Sequence, residues 1–200
     1  TVCSLDVRGL AADRLLAFTA ICGLTFLLLV SLIGFVLVIP LMLIYALIKI
    51  FDPGPALFTQ MRVGRDGQQF IVYKFRSMRT QDNGAVVPQA TKDDPRITSI
   101  GRFLRKTSLD ELPQLWNIIK GDMSLVGPRP IEPFEIARYG RFAKHYYSQR
   151  PGLTGLWQVS GRSDTTYERR VALDAFYAKN RSLGLNLKII LKTVRVVVKG

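Results

Sequence analysis

An α/β body, mostly helical with a small sheet and carried behind an N-terminal membrane-embedded helix, is the architecture that the 200-residue sequence predicts. Three observations predict it. Leu15 through Ile48 carry no charged side chain, Phe70 to Met78 alternate like a half-buried strand, and amphipathic helical spacings recur from Arg96 to the C-terminus. No tandem repeat, low-complexity tract or long linker interrupts Phe51 to Gly200. The expected division is therefore an N-terminal segment over 1–50 and a single body over 51–200.

The apolar run is bounded by Arg14 and Lys49 and is too long for the core of a cleavable signal. A straight helix over it would measure roughly 50 Å at ~1.5 Å per residue, against a hydrocarbon core of ~30 Å. Pro40 lies inside the run and denies the carbonyl of Val36 its helical donor, so a break near Pro40 is expected. Arg8 and Arg14 precede the run, and Lys49, Arg62, Arg65 and Lys74 follow it. Positive charge on both flanks favours a re-entrant helix with both ends on the cytoplasmic side, and an ordinary spanning helix from about Leu15 to Ile39 is the alternative.

Within the body, Ile71, Tyr73 and Phe75 are expected on one strand face, with Lys74 and Arg76 together on the other. Arg96 to Lys106 reads as a helix burying Ile97, Ile100 and Leu104 and turning Arg102, Arg105 and Lys106 outward. Near the C-terminus Lys188, Lys192, Arg195 and Lys199 form a basic stripe opposite apolar positions. A terminal core helix with a solvated basic face would show that pattern too, but with the membrane segment upstream an interfacial amphipathic helix is the favoured reading.

A formal charge of +13 points to an anionic partner: nucleic acid, lipid headgroup or phosphorylated substrate. Base-stacking aromatics interleaved with cations are sparse, which argues against nucleic acid. The two cysteines, Cys3 and Cys22, exclude a disulfide framework and a thiolate metal site, and no P-loop or dinucleotide-binding glycine fingerprint is present. The single histidine, His145, stands beside Tyr146 and Tyr147 and reads as structural or interfacial.

The segment Thr107 to Ile119, TSLDELPQLWNII, contains adjacent carboxylates at Asp110 and Glu111. With Asp110 as N-cap, Pro113 occupies the third helical position, where no donor is needed; a Ser108 capping box is the competing frame. By itself Asp110 is simply a favourable cap, with Glu111 complementing the helix dipole. Gly127-Pro128-Arg129-Pro130 forms a stiff turn that holds one guanidinium outward, and a planar fork suits phosphate. Arg150 to Arg162, RPGLTGLWQVSGR, reads either as a ligand loop, with Arg150, Gln158 and Arg162 as polar contacts and glycines admitting a ligand, or as a strand and turn around a buried Trp157.

Taken in order, KFRSM, SLDELPQLWN, KGDMSLVGPRP and RPGLTGLWQVSGR resemble the motifs of the bacterial sugar transferases, the monotopic phosphoglycosyl transferases, over nearly the whole chain. The resemblance implies transfer of a sugar 1-phosphate from a nucleotide diphosphate sugar to undecaprenyl phosphate. It further implies Mg2+ as cofactor, ping-pong chemistry, and initiation of surface glycan assembly at the cytoplasmic face of the bacterial inner membrane. UDP-sugar, undecaprenyl phosphate and membrane lipid are the implied partners, no nucleic acid is expected, and a homo-oligomer is compatible.

On matching positions, Asp110 corresponds to the family's nucleophile and a metal ligand, and Glu111 to its dyad partner. Arg105 matches a phosphate-binding arginine, Arg129 the arginine of the GPRP loop, and Lys74 and Arg76 fall in the KFR segment. The family's membrane helix breaks at a proline, which Pro40 matches, although many members have serine before it and this chain has Ile39. The wording DPGPALF and LWQVSGRSD is similar to members using UDP-galactose or UDP-glucose. Larger relatives carry additional membrane helices and a further domain before this unit.

Overall fold

The structure, a computed structural model, describes residues 7–51, 54–79, 94–161 and 165–199, with some side chains of the first helix and those of residues 198 and 199 outside the described set. Arg162 and the side chains of Arg8, Arg14 and Lys199 therefore lie outside it. The chain divides into two compact units, Thr1–Ala46 and Leu47–Gly200.

The first unit consists of helix α1, Val7–Phe51, whose last turns belong to the second unit. Pro40 lies inside it, and the helix continues unbroken on both sides. The helix thus runs through the position where a break is expected, with Pro40 withholding one backbone donor. Among the described residues no stretch of helix is long and apolar enough to cross a membrane. The apolar side chains that are described on α1, Phe18, Leu24, Phe26 and Phe35 among them, are largely exposed.

The second unit is mostly helical with two small sheets. Strands β1 (Leu57–Val63) and β2 (Gln69–Phe75) form an antiparallel hairpin in which Leu57 pairs with Phe75 and Val63 with Gln69. Its turn places Asp66 at φ 57° and Gly67 at φ 77°, conformations that Asp tolerates and Gly adopts freely. On β2, Val72 and Phe75 are buried, Lys74 is half-buried and Ile71 is exposed. The expected face of Ile71, Tyr73 and Phe75 is therefore buried only at its end: Phe75 is buried, Tyr73 half-buried and Ile71 exposed. The strand is covered on Val72's side by other elements, so Lys74 points into the body rather than into solvent. Arg76 follows the strand and is buried, its guanidinium lying against Gly54 where any side chain would collide.

Helix α2 (Ser99–Thr107) is capped by Thr98, whose hydroxyl accepts from Gly101 N at 2.9 Å. It begins three residues later than the apolar spacing suggests, because Ile97 is held in a bridge to Met78. Gly101 lets the helix backbone rest directly on the backbone of Ser77. Ser108, in the left-handed region at φ 58°, ends α2, and a single 3-10 turn, Leu109–Glu111, carries the carboxylate pair. Helix α3 starts only at Gln114, with Pro113 before it and no side-chain cap. Neither expected frame holds: Ser108 closes the preceding helix, and Asp110 sits in the connecting turn rather than at a helix cap.

Strands β3 (Ser124–Val126) and β4 (Gly152–Thr154) pair in parallel. Between them lie a 3-10 segment, Pro133–Phe142, and helix α4 (Ala143–Tyr147). Helices α5 (Tyr167–Asn180) and α6 (Leu183–Lys199) complete the unit. Tyr146, Tyr139, Ile131, Val63 and Val171 form one core cluster, and Val126, Tyr177 and Ile189 another. The buried Tyr146 hydroxyl donates to Val63 O at 2.7 Å and accepts from Ile131 N at 3.2 Å, tying the hairpin to the segment after the GPRP turn. On α6, Ile189 turns into the core, while Leu183, Leu187, Leu191 and Val194 stay exposed beside Lys188, Lys192 and Arg195. Apolar and basic stripes thus share the outward surface instead of opposing one another.

Candidate functional site

The 3-10 turn brings Glu111 over β2, where its Oε1 accepts from Lys74 Nζ at 2.9 Å with both side chains about four-fifths buried. Asp110, its neighbour, is half-buried. Burial first, and the adjacent charge of Glu111 second, push the Asp110 carboxyl up to about 6, while Lys74 and Arg105 act to lower it. Arg105 approaches from the last turn of α2, where its Nη1 lies 3.4 Å from Met78 Sδ. The contact of Gly101 with Ser77 sets this approach, since it presses α2 against the segment that holds Met78.

Asn117 locks the turn to the hairpin. Fully buried, it donates to Ile71 O at 2.7 Å and Asp122 Oδ2 at 3.2 Å and accepts from Tyr73 N at 3.2 Å. Thus α3, and the carboxylate turn before it, is registered on β2 beside Lys74.

A small, partly open cleft lies beside this pair, lined by Arg62, Lys74, Glu111, Gln114, Arg129 and Gln158, with Gly152 and Leu153 of β4. Arg129 reaches it because Gly152 and Gly155 pack directly on the backbone of Gly127, a contact too close for any side chain. The glycines of the RPGLTG segment therefore admit the backbone of the GPRP turn. Arg129 stands 5.8 Å from the Trp157 ring centroid, and Arg170 stands 4.9 Å from it, so two guanidiniums share one indole. Arg62 is held by Glu132 at 3.2 Å and Glu135 at 3.6 Å. Burial lowers its guanidinium pKa and Glu132 opposes the shift, with nearby Arg129 lowering it further.

Of the residues singled out by sequence, Lys74, Glu111, Arg129 and Gln158 converge on one cleft, and Asp110 and Arg105 stand beside it. Arg76 does not line the cleft. Arg150 is exposed and lines a separate groove with Arg65, Asp66 and Asp122. Sequence reasoning missed the site roles of Arg62 and Gln114. Spacing alone could have found Gln114, because Glu111, Gln114 and Asn117 recur every three residues; Arg62 is brought in only by the pairing of β1 with β2.

Among the described residues no cluster of three or more His, Cys, Asp or Glu side chains could cage a metal ion. A raised carboxyl beside a second carboxylate nevertheless fits a divalent ion that takes one or two protein oxygens and completes its shell from phosphate and water. The arrangement as a whole sets a carboxylate pair beside several cations, which suits a phosphorylated ligand with an electrophilic phosphorus.

A family model described as Bacterial sugar transferase matches residues 19–200. The chain is 46% identical over 188 residues to the UDP-galactose-lipid carrier transferase of Erwinia amylovora, covering 84% of this chain and 39% of that protein. It is 46% identical over 198 residues to the undecaprenyl-phosphate galactose phosphotransferase of Salmonella typhimurium, covering 91% and 40%. It is also 42% identical over 196 residues to the UDP-glucose:undecaprenyl-phosphate glucose-1-phosphate transferase of Xanthomonas campestris pv. campestris, covering 92% and 38%. The chain thus spans about two fifths of the length of these relatives.

Proposed function

This chain belongs to the bacterial sugar transferase family, and from that premise we propose that it transfers a hexose 1-phosphate from a UDP-hexose to undecaprenyl phosphate. The relatives' names supply the reaction class. The observation that carries it to this chain is the Asp110–Glu111 pair set beside Lys74, Arg105 and Arg129.

Asp110 is the nucleophile. With its carboxyl near 6 it is mostly ionised at neutral pH and needs no base. One carboxylate oxygen attacks the β-phosphorus of the UDP-sugar, the bond from that phosphorus to the bridging oxygen breaks, and UMP departs with the electron pair. The phosphosugar remains on Asp110 as an acyl phosphate. An oxygen of undecaprenyl phosphate then attacks the same phosphorus, the bond to Asp110 breaks, and the carboxylate is restored with the sugar now on a lipid diphosphate. Lys74, Arg105 and Arg129 offset the repulsion between a carboxylate and a diphosphate, and Lys74 holds Glu111 in place. Mg2+, held by Asp110 and the substrate's phosphates, would supply charge neutralisation at the diphosphate.

The acceptor is a lipid, so the reaction belongs at a membrane surface. The exposed apolar side chains of α1, and the adjoining apolar and basic stripes of α6, support attachment there. Positive charge on both flanks of the uncharged run supports a cytoplasmic location for the body, as expected for the first membrane step of surface polysaccharide assembly.

The test is UMP release from UDP-galactose and UDP-glucose with Mg2+ and a polyprenyl phosphate, together with intact-mass analysis of the protein after UDP-sugar alone. Asp110-dependent release, a sugar-phosphate adduct on Asp110 and a lipid-linked product are expected. Full turnover by Asp110→Asn, or sugar phosphate released to water without lipid, would overturn the proposal.

A further inference from the structure

Two buried carboxamides stand one turn apart on the same face of α3, and the protein satisfies only one of them. Asn117 is saturated: both its oxygen and its nitrogen are bonded to β2 and to Asp122. Gln114, three residues earlier and only 3% exposed, has no partner for its Nε2. Its side chain lines the cleft with Lys74, Glu111 and Arg129. Gln158, on the same cleft, donates from Nε2 to Leu153 O at 3.1 Å, which fixes the orientation of its amide and leaves Oε1 buried without a partner. One cleft therefore carries an unmatched donor and an unmatched acceptor, both uncharged.

A buried amide left unpaired is unfavourable, and sites that bind a polar group by hydrogen bonds are unmatched in just this way until the ligand arrives. The position of the cleft decides which part of a ligand that is. For in-line attack by Asp110 the departing nucleotide lies opposite the nucleophile, whereas the sugar is carried on the attacked phosphorus itself. The cleft includes Glu111, next to the nucleophile, and so adjoins the phosphorus that carries the sugar. Its cations suit phosphate oxygens; its two amides suit neutral hydroxyls, which both donate and accept. We propose that Gln114 and Gln158 form a sugar-hydroxyl subsite that determines which hexose is transferred. This inference rests on the transferase function proposed above.

The test uses the full chain in lipid vesicles. UMP release from UDP-galactose and UDP-glucose is compared between wild type, Gln114→Leu and Gln158→Leu, and thermal protection by UDP-sugar is compared with protection by UMP. The expected result for Gln114→Leu is a loss of about 10- to 100-fold in kcat/KM for the preferred hexose, with protection by UMP unchanged and the ligand-free melting temperature equal or higher. UDP-deoxyhexoses, each lacking one hydroxyl, probe the same contact on wild type without any variant. One of them should lose a similar factor, and Gln114→Leu should be indifferent to that deletion. Unchanged hexose turnover by both variants, equal loss of protection by UMP and UDP-sugar, or wild-type indifference to every hydroxyl deletion would overturn the subsite alone. A wild-type chain that releases no UMP from any UDP-sugar would instead sink the transferase reading, and the subsite with it.

Discussion

Lys74 Nζ lies 2.9 Å from Glu111 Oε1, so this cation is bonded to the supporting carboxylate and acts on Asp110 only through space. Asp110 must be ionised to attack, and its carboxyl is raised to about 6. UMP release should therefore rise with pH across about 5 to 7 and then level. Lys74→Gln removes a group that lowers the Asp110 value, so its acid limb should move to higher pH. Glu111→Gln removes one that raises it, so its limb should move lower. Limbs that coincide in pH–rate profiles of the two variants would refute the assignment.

The same shift has a stability consequence. Because the folded value lies above the ordinary 3.8, the folded state holds the proton more tightly, and this group's contribution to stability falls as pH rises from about 4 through 6. Asp110→Asn should accordingly gain stability relative to wild type between pH 4 and pH 7 in denaturant titrations. A constant difference across that range would count against the raised value.

Asn117 joins α3 to β2 through two hydrogen bonds and makes a third to Asp122. Asn117→Leu keeps the branched shape but strands the Ile71 carbonyl and Tyr73 amide, so a loss of about 2–4 kcal/mol is expected from chemical unfolding. Activity should fall as well, because Glu111 loses its register over Lys74.

Gly101 sits inside α2, where Gly→Ala ordinarily stabilises a helix by roughly 0.5–1 kcal/mol. Here a methyl group would overlap the backbone of Ser77. Gly101→Ala should destabilise by about 1–3 kcal/mol, and reduced turnover should accompany it as Arg105 is levered away from Asp110. A higher melting temperature would contradict the contact.

Trp157 has the guanidiniums of Arg129 and Arg170 near its ring, while the other tryptophan, Trp116, is exposed. Adding UDP-sugar should change indole emission as Arg129 turns to phosphate. That signal should survive Trp116→Phe and vanish in Trp157→Phe. Arg129→Lys should raise KM, because the planar fork is lost while the charge is kept.

Much of the site was legible before any fold was known. The residues Lys74, Asp110, Glu111, Arg105 and Arg129 stand out through residue type and motif order, and the structure brings them into one neighbourhood. Local rules failed where long-range contacts override them. Asp110 has every property of a helix cap, yet α3 starts four residues later because Ser108 closes α2 in a left-handed conformation. Ile71 looks like a core residue, yet it is exposed because neighbouring elements cover the other face of β2.

By itself the sequence determined the chemistry available: an adjacent carboxylate pair, a strong excess of cations, a long uncharged run and short rigid loops. Those properties belong to residue types and to near neighbours, and survive any arrangement of the chain. Only the tertiary structure decided which cations serve that pair. It set Lys74 and Arg105 to act on Asp110, brought Arg129 to the cleft beside Glu111, bound Arg62 on the same cleft to Glu132 and Glu135, sent Arg150 to another groove, and separated a saturated Asn117 from an unmatched Gln114 one turn away. The reason is physical. Whether a side chain is bonded, buried or free to meet a ligand depends on partners dozens of residues distant, and those partners are chosen by packing rather than by spacing along the chain.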